Sequence, residues 1–303
     1  MLKNLKLNAK LNVLLLIIFL FVVGVTGSSL SVILEKNAQQ VVADRATLIM
    51  ETMLSVREYT STSVRPELAS RLYEEEQFLP QTVPAYSARE VFENLRKRDG
   101  YQDYLYKEAT LNPTNLRDKA DRFETEIVNN FKEQSDKKET RGFRDLAGQK
   151  IFYIARPLSV SKESCLECHG YPKDAPRSQI RTYGDQNGYG WKLGEIVGAQ
   201  VVFVPADTVF RFTRRLEFVV IGTISIFLLL AIVLIDVFLR ISITQPLRKM
   251  SQWAKKVSTG STSEEFVHQT RDEIGILAAS LNRMKVSLEM ALNMLNSQSN
   301  PKK

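Results

Sequence analysis

Two cysteines and a histidine stand together in the stretch SKESCLECHG, in the order Cys-x-x-Cys-His: Cys165, Cys168 and His169. The chain has only two cysteines, so none is left for a disulfide framework. This spacing is typical of c-type haem attachment, in which both thiols form thioethers and the adjacent imidazole binds the iron. The sequence therefore predicts one covalent haem c, attached at Cys165 and Cys168, with His169 as an axial iron ligand.

Two other uses of the cysteine pair are open. A structural zinc site needs four ligands, and only three stand close together here, so a carboxylate or a partner chain would have to complete it. Thiol redox chemistry also uses Cys-x-x-Cys, but it does not require a histidine directly after the second cysteine. Haem attachment accounts for all three residues.

Two long apolar segments flank the part of the chain that carries this motif. The first, residues 11–34, is free of charge and exceeds the roughly 20 residues that span a bilayer. The second, residues 218–239, begins with 18 uncharged residues. A cleaved signal peptide is the alternative for the first segment and a buried helix for the second. We expect both segments to cross a membrane.

The distribution of charge predicts the orientation of these spans. Residues 35–217 contain equal numbers of basic and acidic side chains, so the net charge of +7 comes from residues 1–10 and 236–303. Basic excess favours the cytoplasmic side. We therefore predict a two-pass protein of the bacterial inner membrane, with cytoplasmic termini and a periplasmic domain at 35–217. Because topology explains the basicity, we expect no nucleic-acid partner.

The periplasmic segment shows helical patterns followed by strand patterns. Apolar residues recur at helical spacing from Val41 to Val56, and Pro66 marks the expected end of that helix. Two more helices and two strands are predicted at 87–98, 117–134, 149–160 and 195–204. Helices followed by a sheet indicate an α+β fold.

Methionine is the candidate for the second axial ligand. The other histidine, His268, lies in the predicted cytoplasmic segment, so the membrane would separate it from the haem. Met50 and Met53 are the periplasmic methionines, and their spacing places them on one helix face. His–Met ligation is a known haem arrangement. We expect Met53, or else Met50, to bind the iron; the alternatives are core packing beside a five-coordinate iron, and ligation by water, tyrosine or lysine.

Two residues that follow Met53 are candidates for the haem pocket. Arg57 lies one helical turn later, and its guanidinium suits a haem propionate. Tyr59 follows two residues after Arg57 and is a further pocket candidate.

The segment after the second span carries a coiled-coil pattern. Apolar residues alternate at spacings of three and four: Ile274, Leu277, Leu281, Met284, Leu288, Ala291 and Leu295. A shorter seam precedes them: Leu247, Met250, Ala254 and Val257. Two such helices joined by a glycine-containing connector cannot bury both seams alone, so the sequence predicts a homodimer with a parallel four-helix bundle.

Short motifs in this segment, PL at 246–247 and DEIG at 272–275, resemble those of the HAMP domain of bacterial transmembrane receptors. The resemblance assigns residues 240–295 to an all-α HAMP linker and leaves 296–303 as a tail; an isolated coiled coil is the alternative. Because the tail is short, we expect an output protein, a kinase or similar, to act in trans.

Several stretches of the periplasmic segment match a known family: METMLSVREYTSTSVRPEL, YKEATLNPTN, GQKIFYIARPLSV, CLECHG, AP at 175–176 and YGDQNGYGWKLGEIVGAQVVFVP. They resemble the membrane-anchored, Tll-like PAS-type family of single-haem sensors. The resemblance implies a PAS-like fold, with an antiparallel sheet flanked by helices, and one covalent c-type haem. Some members take their second axial ligand from a cysteine of the first helix, which this chain lacks.

Together these features predict a transmembrane receptor that senses redox state or a small gas through its haem and signals through the HAMP linker. A membrane-anchored c-type cytochrome acting in electron transfer is the alternative, although an electron carrier has no need of a HAMP linker. No general acid or base pattern accompanies the haem motif, so we do not expect an enzyme.

Overall fold

The computed structural model describes residues 7–146, 148–260, 265–268 and 270–299. The chain divides into two units. We call Ser31–Leu216 the sheet unit, and Met1–Leu30 together with Glu217–Lys303 the helical unit. Parts of the predicted N-terminal segment, HAMP connector and C-terminal tail lie outside the described residues: 1–6, 261–264, 269 and 300–303.

A four-stranded antiparallel sheet forms the centre of the sheet unit. Its strands are β1 (Leu105–Thr110), β2 (Thr140–Leu146), β3 (Gln149–Ser159) and β4 (Ile196–Pro205). They lie in the order β1–β4–β3–β2, and each neighbouring pair is antiparallel. The two predicted strands are thus confirmed as the central pair, β3 and β4.

The outer strands were missed because both carry charged residues that obscure the apolar pattern. In β1, Lys107 and Glu108 are paired: Lys107 Nζ lies 2.7 Å from Glu124 Oε2, and Glu108 binds Arg57. Strand β2 is a partly exposed edge strand with three charged residues. Charged residues on an edge discourage pairing with other chains, and they also hide the strand from a periodicity argument.

Helices cover the sheet and extend beyond it. In chain order they are α1 (Leu7–Tyr59), α2 (Arg65–Glu74), α3 (Pro84–Arg96), α4 (Arg122–Glu133), α5 (Leu166–His169), α6 (Arg177–Tyr183) and α7 (Asp207–Leu239). The predicted helices near 87–98 and 117–134 are confirmed as α3 and α4. Helix α4 begins with a capping box between Asp121 and Glu124, which satisfies free N–H groups at its start.

Strand β4 separates two apolar clusters. Because side chains alternate along a strand, Val202 and Val204 join one cluster, whereas Val201 and Phe203 join the other. The first cluster holds α1 and α3 against the sheet through Val42, Ala46, Met50, Met53, Ala88 and Phe92. The second holds α4 through Ile127, Val128 and Phe131. The result is a mixed fold with an antiparallel sheet between helices, as the α+β prediction required.

Pro66 does not end the first helix, so that expectation was wrong. The helical path runs from Asn8 to Glu74 because a π-helical turn at Thr60–Val64 joins α1 to α2. Proline lacks an N–H group, and in an α-helix its ring collides with the carbonyl four residues earlier. A widened turn directly before Pro66 relieves that collision and lets the helix continue.

Two helical runs are long and apolar enough to cross a membrane, Asn8–Glu74 and Asp207–Ser258. They contain the predicted spans 11–34 and 218–239. The second run also includes a π-helical turn, Arg240–Thr244, close before a proline. In both helical runs, a π-helical turn shortly before a proline therefore allows the helix to continue.

The segment after the second span folds into α8 (Gln245–Ser258) and α9 (Glu273–Ser299). The side chain of Asn282 in α9 binds the backbone of Phe266, in the connector between α8 and α9. Its Nδ2 donates to the Phe266 carbonyl at 2.9 Å, and its Oδ1 accepts from the Phe266 N–H at 3.0 Å. Of the predicted seams, Met250 is buried in the single chain. Others are exposed there: Leu277, Met284, Leu288 and Leu295.

Truncating Phe92 should destabilise the sheet unit. Its side chain is 1% exposed, and its ring centroid lies 5.7 Å from that of Tyr106. We expect Phe92→Ala to lower the free energy of unfolding by about 3–5 kcal/mol because it opens a cavity in the core. Urea unfolding of the full chain in detergent, followed by circular dichroism, measures the change. Val91→Ala, at a 44% exposed neighbour, is the control and should change little; equal losses would contradict the assigned core.

Candidate functional site

A cavity of about 430 Å³ in the sheet unit has Cys165, Cys168 and His169 on its wall. Its volume falls within the range of sites that hold small molecules and cofactors. Further parts of the wall come from the end of α1, the π turn, α2, the start of α3, the loop after β1, the end of β3, helix α6 and the loop before β4. The structure thus brings the three residues of the motif together at one concave site.

Side chains from distant parts of the chain fix the backbone of the cysteine motif. Arg65 Nη2 donates to the Ser164 carbonyl at 3.1 Å and to Glu167 Oε2 at 2.7 Å. On the other side, Gln179 Nε2 donates to the Cys168 carbonyl at 2.8 Å. Burial raises the pKa of the Cys168 thiol, which favours its neutral form. These contacts position the motif without using its functional atoms.

The imidazole of His169 is oriented by the loop that precedes β4. Its Nδ1 lies 2.8 Å from the carbonyl oxygen of Gly188, so Nδ1 carries the proton and donates it. The lone pair is then on Nε2. Burial lowers the pKa of His169, although the bond to Gly188 opposes this change. A neutral imidazole with Nδ1 held by a carbonyl is the form in which histidine binds a metal.

Trp191 stacks on the same imidazole. The ring centroids are 3.9 Å apart and the planes differ by 10°. The backbone of the loop also pairs with the motif, since the Trp191 N–H donates to the His169 carbonyl and the Gly190 N–H donates to that of Gly170. His169 is therefore held by its ring face, its ring nitrogen and its backbone.

Gly188 is placed where other residues would not fit. Its φ is +83°, and a Cβ atom there would lie 2.0 Å from Thr114 Oγ1 and 2.6 Å from the Thr114 N. Glycine thus allows the loop to approach the segment after β1 closely enough to present its carbonyl to His169.

A buried ion pair forms another part of the wall. Arg57 of α1 binds Glu108 of β1, and the Tyr106 hydroxyl donates to the other Glu108 oxygen at 2.7 Å. Burial alone would lower the pKa of Arg57, but the negative charge of Glu108 raises it above its usual value. Burial and Glu108 also raise the pKa of Tyr106 well above its usual range. Arg57 and Tyr106 thus both keep their protons at neutral pH.

Arg89 and Asp118 form a looser pair on the same wall. Arg89 Nη1 lies 3.5 Å from Asp118 Oδ2, which exceeds the usual length of a charge-assisted hydrogen bond. Burial raises the pKa of Asp118, and Arg89 offsets this only in part.

The predicted site residues fall into two groups. Cys165, Cys168, His169 and Arg57 line the cavity. The other three, Met50, Met53 and Tyr59, do not line it, and the structure does not bring them together with His169.

Met50 and Met53 are 0% and 2% exposed and belong to the apolar cluster beneath α1, next to Phe92 and Tyr106. They pack the core, which was the stated alternative for them. Tyr59 is 64% exposed and lies off the cavity wall.

Sequence reasoning missed the residues that position the motif, which include Arg65, Gln179, Gly188 and Trp191. A signal was present for two of them, because the run YGDQNGYGW combines glycines with aromatic residues between strands. Such a run indicates a close backbone approach, but it does not reveal which residue is approached. Within the part of the chain that the structure describes, no three His, Cys, Asp or Glu residues group as a metal-ion site, which gives the zinc alternative no support.

Comparison with protein families gives two matches along the chain. The family described as Tll0287-like matches residues 35–205, more than half of the chain. The HAMP domain matches residues 238–290. The first range contains the whole cavity wall, and the second contains α8 and most of α9.

The similar individual proteins match only part of their own or of this chain's length, at low sequence identity. A probable methyl-accepting chemotaxis protein of Bacillus thuringiensis subsp. konkukian (strain 97-27) is 33% identical over 99 residues, which cover 33% of this chain and 14% of that relative. The chain thus matches about a seventh of the length of this curated relative. The crystal structure of the cyanobacterial heme-protein Tll0287 is 18% identical, covers 52% of this chain and 94% of its own, and has a TM-score of 0.38.

Replacing Gly188 by alanine should release His169 from its carbonyl partner. We expect Gly188→Ala to move the loop because its Cβ would overlap Thr114. The chain has two histidines, so ¹⁵N-histidine labelling of the full chain in detergent gives two assignable rings. The protected Nδ1–H signal of His169 should be lost in this variant.

Gly190→Ala is the matched control. Gly190 has nearly the same φ, +80°, but its Cβ would meet nothing within 4 Å. It should cost about 1 kcal/mol of backbone strain and keep the His169 signal. If both variants keep the signal, the close approach of Gly188 to Thr114 does not determine the orientation of His169.

Proposed function

Because the chain belongs to the Tll0287-like family and carries a HAMP domain, we propose that it is a transmembrane receptor that senses its stimulus through one covalent c-type haem in the sheet unit. The observation that carries this proposal is the cavity on whose wall both thiols and the imidazole of the Cys-x-x-Cys-His motif meet. The sheet flanked by helices supports the PAS-like description that the family resemblance implied.

The residues present fit a haem. Cys165 and Cys168 are free thiols on the cavity wall and would hold the porphyrin by thioethers. His169 would bind the iron through Nε2, because Gly188 already uses Nδ1. A buried guanidinium nitrogen on the wall, Arg89 Nε, has no hydrogen-bond partner among the described residues, as expected where an anionic group binds. A haem held here would supply a redox centre and an iron able to bind a small gas.

The second iron ligand bears on the nature of the stimulus. Among the described residues, those that line the cavity include no methionine; α1 contributes Arg57 and Glu58, the π turn Ser61, and the start of α2 Arg65. None of these side chains is a soft ligand comparable to a methionine thioether. We therefore favour an iron position that an external small gas can occupy, over a closed His–Met redox centre.

Membrane topology and assembly follow from charge and exposure. The net positive charge of the segments outside 35–217 supports cytoplasmic termini and a periplasmic haem. The exposed seam residues Leu277, Met284 and Leu288 support a homodimer through the HAMP helices, because a second copy would cover them. The partner that receives the signal would be a cytoplasmic output protein.

Helix α1 offers a route for the signal. It contributes Arg57 to the cavity wall and also contains the apolar span 11–34. A ligand that binds one arrangement of the cavity more tightly would shift the population of α1 arrangements. Electron transfer remains the alternative function, and the HAMP domain speaks against it because a carrier needs no signalling linker.

Spectra of the matured protein test the iron ligand. We expect the ferrous full-length chain, produced with a c-type maturation system, to bind carbon monoxide. Met53→Leu removes the thioether at nearly constant volume, so it should cost less than about 1.5 kcal/mol of stability and leave the spectra unchanged. A ferrous protein that ignores the gas until Met53 is replaced would instead show a closed Met–His centre.

A chimera tests the receptor function. Residues 1–290 would be fused to the signalling domain of a chemotaxis receptor, and kinase output would be recorded with and without carbon monoxide or a reductant. We expect at least a twofold change in output, corresponding to a shift of about 0.4 kcal/mol. The control is the double variant Cys165→Ser with Cys168→Ser, which should not respond. A chimera that exchanges electrons but shows constant output would favour the electron carrier.

A further inference from the structure

Three guanidinium groups line the described cavity wall, and two of them each hold a carboxylate within hydrogen-bond distance. Arg57 is paired with Glu108, and Arg65 binds both Glu167 and the Ser164 carbonyl. The expectation that Arg57 would bind a propionate therefore assigns that role to a group that already has a buried counter-ion. Arg89 is the remaining guanidinium on the described wall.

Arg89 is buried but only loosely paired. Its side chain is 14% exposed, and its Nε is buried without a hydrogen-bond partner in the part of the chain that the structure describes. The nearest carboxylates lie 3.5 Å from Nη1, at Asp118, and 3.7 Å from Nε, at Glu90. An unsatisfied charged donor in a protein interior is costly, so a group that binds the protein should complete its hydrogen bonds.

Asp118 is a weak counter-ion for this guanidinium. Burial raises the pKa of its carboxyl group, and its Oδ2 lies 3.5 Å from Arg89 Nη1, beyond the usual length of a charge-assisted hydrogen bond. The guanidinium of Arg89 lies over the ring of Tyr86, with its Cζ 5.2 Å from the ring centroid. This contact holds the side chain without using its hydrogen-bond donors.

The first turn of α3 adds to the positive character of this wall. Val83, Pro84, Ala85 and Tyr86 all line the cavity, and the helix start has no side-chain cap. Free N–H groups and the helix dipole both favour a negative group at such a position. Arg89 follows on the same helix, so the guanidinium and the helix start contribute to one region of the wall.

We infer that Arg89, together with the first turn of α3, is the carboxylate-binding subsite of the cavity and takes a haem propionate. This inference rests on the proposed haem function and refines it. A planar guanidinium can donate two parallel hydrogen bonds to one carboxylate, and Arg57 has already given its Nη1 to Glu108.

The test compares two porphyrins that differ only in this group. The full chain is produced without haem maturation, purified in detergent and titrated with iron protoporphyrin IX or with its dimethyl ester, with detergent alone as background. Quenching of tryptophan fluorescence reports binding, since Trp191 lies on the cavity wall. We expect the diacid to bind at least about tenfold more tightly than the ester, the scale of a charge-assisted hydrogen bond.

Variants assign the preference to Arg89. Arg89→Gln should bring the ratio of the two dissociation constants close to one, and Arg89→Lys should give an intermediate ratio because lysine keeps the charge but loses the paired donors. Arg96→Gln is the matched control on the same helix: Arg96 pairs with Glu93 away from the cavity, so the ratio should be unchanged. Asp118→Asn should retain or increase the ratio, because a competing carboxylate is removed.

The outcomes separate this inference from the function it rests on. If the wild type binds both porphyrins equally, or if Arg89→Gln keeps the preference, the subsite is wrong while haem binding stands. If the wild type binds neither porphyrin above the detergent background, the haem proposal fails and the subsite with it. Circular dichroism of each variant shows whether the fold is kept. If Arg89→Gln removes a positive charge next to the haem, the matured variant should also have a lower midpoint potential than matured Arg96→Gln.

Discussion

The ion pair between Arg57 and Glu108 determines how the first helix sits on the sheet. Burying a guanidinium or a carboxylate is costly unless each is paired with an opposite charge. Here Arg57 and Glu108 pair with each other, and the Tyr106 hydroxyl donates to the other oxygen of Glu108. Because the partners belong to α1 and β1, a shift of the helix along the sheet would leave two charges buried alone. The pair thereby divides α1 into a core-facing part, which includes Met50 and Met53, and a part beyond it that faces the cavity.

This division explains which site residues the sequence could predict. The Cys-x-x-Cys-His motif was recognisable because local spacing alone defines its chemistry, and the structure places its three residues on one wall. The position of Met53 in the apolar core was not predictable, because helical spacing tells which face a residue shares but not where along that face the core gives way to a cavity. The same limit applies to Arg57, whose partner Glu108 is 51 residues away and lies on a strand that the charge pattern concealed.

The positioning residues were beyond reach for a related reason. Gly188 and Trp191 act on His169 through backbone groups and ring faces, and such contacts leave no residue-type signature at a fixed spacing. By contrast, strands β3 and β4 were predictable because burial on a sheet requires runs of apolar, β-branched residues, and β4 is buried on both sides. Local sequence patterns thus predict the strands. The contacts that orient His169 depend on the tertiary fold, which brings Gly188 next to Thr114.

The π turn at Thr60–Val64 has a consequence for the whole first helical run. Such a turn contains one residue more than an α-helical turn, so residues on either side of it follow two separate helical wheels, offset by about 100°. A stripe drawn from Ala46 through Met53 therefore cannot be extended at the same spacing to Leu72, although all three are buried. Deleting one residue there would restore a single helical wheel and rotate the face that α2 presents by about 100° relative to α1.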